Sequence, residues 1–159
     1  MVAYADFKTR EVSVILLFCY SFLVAVDAIM SATAKITGLN FASNLGFVFL
    51  LFLCTTLYIS IRNKKFVLIT NGFMGWADVW IILVLALPFY WANYILFITV
   101  SFIIALLFHV VFSVFRKSPD RQIPLAAYLV INYAVLRLII YFYGYDLFDE
   151  SLIVSFLQP

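Results

Sequence analysis

The sequence predicts an all-α fold: a polytopic membrane helix bundle of about five transmembrane helices, forming one membrane-embedded domain over residues 1–159. Three observations predict it. Of the 159 residues, 67% are hydrophobic and 11% are charged, against roughly 45–50% and about 25% in soluble domains. Most side chains therefore need lipid or another helix as a neighbour. The apolar residues gather in runs close to the length of about 20 that crosses a bilayer. The basic residues fall between alternate runs, the pattern that orients membrane proteins. Hydrocarbon offers no water to the backbone, so the runs are helices. At this length the chain has no room for a separate soluble domain.

The first run is Val12–Met30. It is too long for the apolar part of a secretory signal and is followed by no clear small-residue cleavage site, so it reads as a retained span. The second is Ser43–Ile61. The Phe66–Trp76 stretch is apolar enough to enter the membrane or lie along it. The third span begins at Asp78 and runs to about Tyr90, with a turn at Pro88–Asn93; it is short. The fourth is Tyr94–Phe115 and the fifth Ile123–Tyr143.

Charge then sets direction. Lys8 and Arg10 precede the first span; Arg62, Lys64 and Lys65 follow the second; Arg116, Lys117 and Arg121 follow the fourth. The other side holds Lys35 and, after the fifth span, the acidic Asp146, Asp149 and Glu150. The positive-inside rule places the N-terminus in the cytoplasm and the C-terminus outside. An odd number of spans agrees.

Several function classes lose support. A net charge of +2 without a basic stripe gives nucleic acid no footprint. Cys19 and Cys54 lie inside apolar runs with no C-x-x-C pair, and read as small buried apolar residues. His109 is the one histidine, with no acid or thiol at ligand spacing, so no metal site is expected. Asn71, Asn132 and the ten tyrosines read as interface or interhelical hydrogen-bonding residues.

Ionisable groups at membrane depth are costly and therefore conspicuous. Asp78 opens the third span behind Gly75-Trp76-Ala77, and Asp6 lies six residues before the first. Both fall on the cytoplasmic side. Two carboxylates at one depth can share a proton and activate a water. Each also has an ordinary reading: Asp suits a helix N-terminus, and Asp6 suits a solvated tail beside Lys8 and Arg10. Gly72 and Gly75 loosen the chain ahead of Asp78, which a membrane tolerates where backbone is buried in protein or faces water. Asp27 and Arg137 form a different pair. Each lies roughly 21–22 Å along its helix from the inner end, so they are expected to meet as a structural ion pair.

Asp6-Phe7-Lys8-Thr9-Arg10-Glu11-Val12-Ser13 resembles the first aspartate motif of the prepilin peptidases, the type IV leader peptidases. Met74-Gly75-Trp76-Ala77-Asp78-Val79 resembles their second motif, Gly-x-Gly-Asp at a helix start. Ile123-Pro124-Leu125-Ala126 resembles a third marker, a proline at the start of the last helix after a basic loop. Order, spacing and cytoplasmic placement agree from Asp6 to about Tyr143.

The resemblance implies an intramembrane aspartic protease of the bacterial or archaeal cell membrane. Such a protease cuts the basic leader from prepilin-like precursors for type IV pili or protein secretion. It implies Asp6 and Asp78 as the catalytic dyad, with Gly75, Trp76, Ala77 and Pro124 as motif support. It implies no metal or organic cofactor, and the lipid bilayer and a prepilin-like substrate as partners. The chain resembles the short, peptidase-only form. It departs from the pattern at Ala77 (glycine in the signature), Trp80 (lysine), Ser13 (proline) and Val14 (asparagine). In the family a whole helix precedes the first aspartate, where this chain offers Met1–Ala5, so the resemblance implies a form lacking the first helix. The alternative class is a non-enzymatic membrane component, a transporter subunit or assembly partner, resting on Asp27, Arg137 and the break at Pro88. A lipid-modifying enzyme would need more acids at one depth than the sequence supplies.

Overall fold

A computed structural model describes residues 2, 13–31, 38–70, 74–115 and 124–143. Five helices carry most of them: α1 (Val14–Ser31), α2 (Gly38–Asn63), α3 (Trp76–Leu85), α4 (Trp91–Phe115) and α5 (Leu125–Tyr143). Among the described residues there is no strand. Three helical stretches are long and apolar enough to cross a membrane: Asn40–Asn63, Trp91–Val111 and Leu125–Tyr143. The 18 residues of α1 extend about 27 Å, close to the hydrocarbon thickness of about 30 Å.

The third element departs most from expectation. The apolar run to Tyr90 predicts a longer helix, but α3 stops at Leu85 after ten residues, about 15 Å. Pro88 lacks an N–H and its ring would clash with the preceding turn, so the helix cannot run through it. The chain instead continues as a buried, non-helical stretch in which Ala86, Pro88 and Phe89 are almost fully covered. Phe66–Thr70, apolar in sequence, is also non-helical.

The short helix is nonetheless the centre of the bundle. It packs against α1, α2 and α5, while α4 packs against α2 and α5. Ile81, Ile82 and Leu85 of α3 are buried with Val24 of α1, Val48 of α2, Ile98 of α4 and Leu129 of α5. A helix ending inside a bilayer leaves its last carbonyls without partners. Here Ala86 N–H bonds Leu83 O at 3.2 Å and Leu87 N–H bonds Val84 O at 3.1 Å. The Tyr94 hydroxyl donates to Ile82 O at 2.7 Å. Fully buried Asn44, from α2, donates to Ala86 O at 2.9 Å and Phe89 O at 3.0 Å.

The end of α2 is closed differently. Lys64 sits in the left-handed region at φ 52°, with Lys64 N–H on Ile61 O and Lys65 N–H on Ser60 O. These two bonds make a Schellman cap. Ser60 Oγ also accepts from Val67 N–H at 3.1 Å and fastens the outgoing chain.

The helix faces turned away from the bundle are apolar, as lipid contact requires: Phe18, Phe22 and Met30 on α1, Phe49 and Leu50 on α2, Leu106 and Leu107 on α4. Cys19 and Cys54 belong to these outer faces, which corrects the expectation that they are buried. A small apolar thiol is as well accommodated against lipid as inside the core.

Asn44→Leu keeps the side-chain size but removes both donors to the buried turn. It is expected to cost about 2–4 kcal/mol, from two buried carbonyls left unpaired, read as a lower unfolding midpoint in detergent. A midpoint equal to wild type would contradict this role.

Candidate active site

Asp78 is the third residue of α3, and Gly75 is the N-cap. Gly75 has φ −72° and ψ 149°, a conformation open to any residue. What glycine supplies is space. A Cβ at position 75 would stand 3.2 Å from Asp78 Oδ2, because the carboxylate leans back over its own cap. From there Oδ2 accepts the Gly75 N–H at 3.1 Å. This is the acidic half of a capping box, paired here with a glycine instead of Ser or Thr.

The second oxygen reaches another helix. Asp78 Oδ1 accepts the N–H of Ala126 at 2.7 Å. Ala126 is the second residue of α5, where backbone N–H groups have no partner within the helix. Pro124 stands just before α5, where its fixed φ suits a helix start and its missing N–H costs nothing. Ala126 and Ala127 are fully buried, and their small side chains let α5 come close to the start of α3. One carboxylate thus joins two helix N-termini, both of which favour negative charge.

Trp76 is exposed, and Ala77, at the position of the signature's second glycine, is half-buried. Trp80, where the resemblance leads one to expect lysine, ties α3 to α1: its Nε1–H donates to Ser21 Oγ at 2.9 Å, and Ser21 donates onward to Leu17 O at 2.7 Å. Phe18 lies edge-on to the Trp80 ring at 5.8 Å. Asp6 lies outside the described residues, as do Lys8, Arg10, Asn71 and Gly72. Val2 is described and is buried in the central apolar cluster.

Asp27 and Arg137 come together. Arg137 Nε donates to Asp27 Oδ2 at 2.6 Å, and Arg137 Nη2 engages Asp27 Oδ1 as an ion pair. The Tyr133 hydroxyl adds a bond to Oδ2 at 2.5 Å. Tyr133 also packs against Phe89 and Phe97, so this cluster lies level with the turn after α3. Asp78, bonded to the start of α5, lies at the other end of α3. The two polar groups are thus separated along the bundle.

The fold and this site define a polytopic membrane helix bundle with an aspartate clamped at an internal helix start. The sequence profile of the Type IV leader peptidase family matches residues 1–110, more than two thirds of the chain, and the chain belongs to that family of membrane peptidases. No curated protein and no solved structure matches it.

Sequence reasoning missed the Ala126 amide, although Pro124 marked the right place. Every residue but proline carries an N–H, so no residue type signals one that is used. It also missed Asn44, whereas the Tyr133 bond to Asp27 fits the reading of the tyrosines as interface or interhelical hydrogen-bonding residues. An asparagine within an otherwise apolar span was the available signal for Asn44.

Two substitutions test this arrangement. Gly75→Ala presses a methyl on a carboxylate held from two sides, and is expected to destabilise the protein by about 1 kcal/mol, measured by thermal unfolding in detergent. Arg137→Leu leaves Asp27 without its counter-charge, at a cost on the order of 3 kcal/mol. The double change with Asp27→Leu should recover part of that loss. A double variant no more stable than Arg137→Leu would argue against the pair as a structural unit.

Proposed function

We propose that the protein is an aspartic endopeptidase that cuts the basic leader from type IV prepilin-like precursors at the cytoplasmic membrane face, with Asp6 and Asp78 as its dyad. The observation that carries this reading is the Asp78 carboxylate, fixed at the start of a buried helix by amides from α3 and α5 in a chain of the leader peptidase family. Catalytic carboxylates work when held in one geometry, and both Asp78 oxygens are held as acceptors.

In this reading Asp78 is the base and Asp6 the acid. Asp78 takes a proton from a water, whose oxygen attacks the scissile carbonyl carbon. Protonated Asp6 hydrogen-bonds the carbonyl oxygen as it gains charge. The proton held by Asp78 then passes to the departing amide nitrogen, and the C–N bond breaks. These steps require no metal or organic cofactor.

The described residues on either side of Asp6 in the sequence pack into the bundle. Val2, four residues before it, is buried in the core. Beyond it, α1 is tied to α3 by the Trp80–Ser21 bond. The cytoplasmic placement of Asp78 rests on helix direction. The start of α3 shares its face of the bundle with the start of α5, and α2 runs the opposite way, since Asn44 near its beginning reaches the end of α3. The C-terminus of α2, with Arg62, Lys64 and Lys65, therefore lies on the side of Asp78, and the positive-inside rule makes that side cytoplasmic. The same directions support an N-terminus inside. Asp27 and Arg137, on which a transporter-like reading depends, are engaged with each other and with Tyr133.

The test is cleavage in proteoliposomes of a precursor with a basic leader followed by an apolar helix. Asp78→Asn and Asp6→Asn are each expected to lower kcat/KM on the order of 10³-fold. Asp78→Asn also turns an NH2 toward one of the two N–H donors that the carboxylate serves and is expected to lower the unfolding midpoint, so its rate is compared on folded protein. Wild-type rates in the folded Asp78→Asn protein would overturn the dyad.

A further inference from the structure

We infer that the first turn of α5 is a positioning element of the peptidase site: the Ala126 backbone N–H, 2.7 Å from Asp78 Oδ1, sets the orientation in which that carboxylate works. The inference rests on the peptidase reading and adds to it a group that lies beyond the residues 1–110 matched by the family.

Asp78 needs only the Gly75 N–H to close the N-terminus of its own helix. The bond to Ala126 does something else. It crosses 48 residues of sequence to a separate helix. Its length lies in the range of charge-assisted bonds, about 2.7–2.9 Å. A carboxylate held through one oxygen still turns about its Cβ–Cγ bond. Held through both oxygens by donors on different helices, it keeps one plane. The second donor is itself immobile. Ala126, Ala127 and Leu129 are fully buried, and Leu129, Tyr133 and Ile140 dock α5 into the central cluster. The amide cannot withdraw unless that packing opens. The orientation of Asp78 is thus set jointly by its own helix and by the docking of α5.

The alternative account is that the bond merely fastens α5 to α3. The two roles separate when the N–H is deleted without adding bulk. Lactic acid in place of alanine at position 126, introduced by in vitro translation of the full chain into liposomes, replaces that amide with an ester. Leucic acid at position 129 is the control, because it removes an ordinary bond of the same helix and leaves Asp78 untouched. Both esters are expected to lower the unfolding midpoint. Only the ester at 126 is expected to lower kcat, by about tenfold to a hundredfold, with KM unchanged. Equal kcat for the 126 ester and wild type, or equal losses for both esters, would overturn the positioning role while the peptidase reading stands. A wild type that does not cleave, or an Asp78→Asn protein that does, would overturn that reading and this role together.

Discussion

A backbone carbonyl inside a bilayer has no water to bond, and each one left unpaired costs several kcal/mol. A full-length span meets this condition by itself except at its two wet ends. The ten-residue α3 does not, because it stops where the bundle is still dry. Its neighbours must complete it. Tyr94 and Asn44 supply the donors, and these bonds fix where α4 begins and where α2 passes. The rest of the bundle follows from that demand. Among the described residues, four helices surround or flank a fifth that is too short to stand alone.

The other end of α3 obeys the same rule with the opposite sign. Unpaired N–H groups replace unpaired carbonyls, and a carboxylate replaces the amide and hydroxyl donors. Asp78 serves two helix starts at once, so it fastens the bundle and bears its candidate chemistry with the same two oxygens. Between these polar ends α3 is apolar and buried through Ile81, Ile82 and Leu85. Beside the turn that follows it, Asp27, Tyr133 and Arg137 join α1 to α5. An ion pair there has little water to compete with it and few other partners to choose.

How far the sequence could be read follows from what each signal measures. Hydropathy counts apolar residues, and Leu87, Phe89 and Tyr90 count as well outside a helix as within one. The third span therefore looked longer than it is, although Pro88 marked the break. The cysteines looked buried because soluble proteins hide apolar residues from water. Here the outer faces of α1 and α2 meet lipid, and burial loses its meaning as a sign of apolarity. The Asp27–Arg137 meeting could be anticipated because depth along a helix is proportional to residue number, and two opposite charges at one depth in hydrocarbon have strong reason to pair. Asp78 was legible from Gly75-Trp76-Ala77-Asp78, a local pattern with a local cause, since the cap must leave room for the carboxylate that leans over it.

By itself the sequence determined that the chain lives in a membrane, that it is helical, the rough length of each run, and which carboxylate opens the central helix. These are properties of composition and of short-range order. Only the tertiary structure decided that the central helix is half-length, that Asn44 and Tyr94 close it, and that the N–H of Ala126 holds Asp78. The reason is physical. Those partners are far apart in sequence, and two of the groups involved, the carbonyls at the end of α3 and the amide at the start of α5, are backbone atoms that nearly every residue carries. Nothing in a residue's identity says which of them packing will leave unpaired.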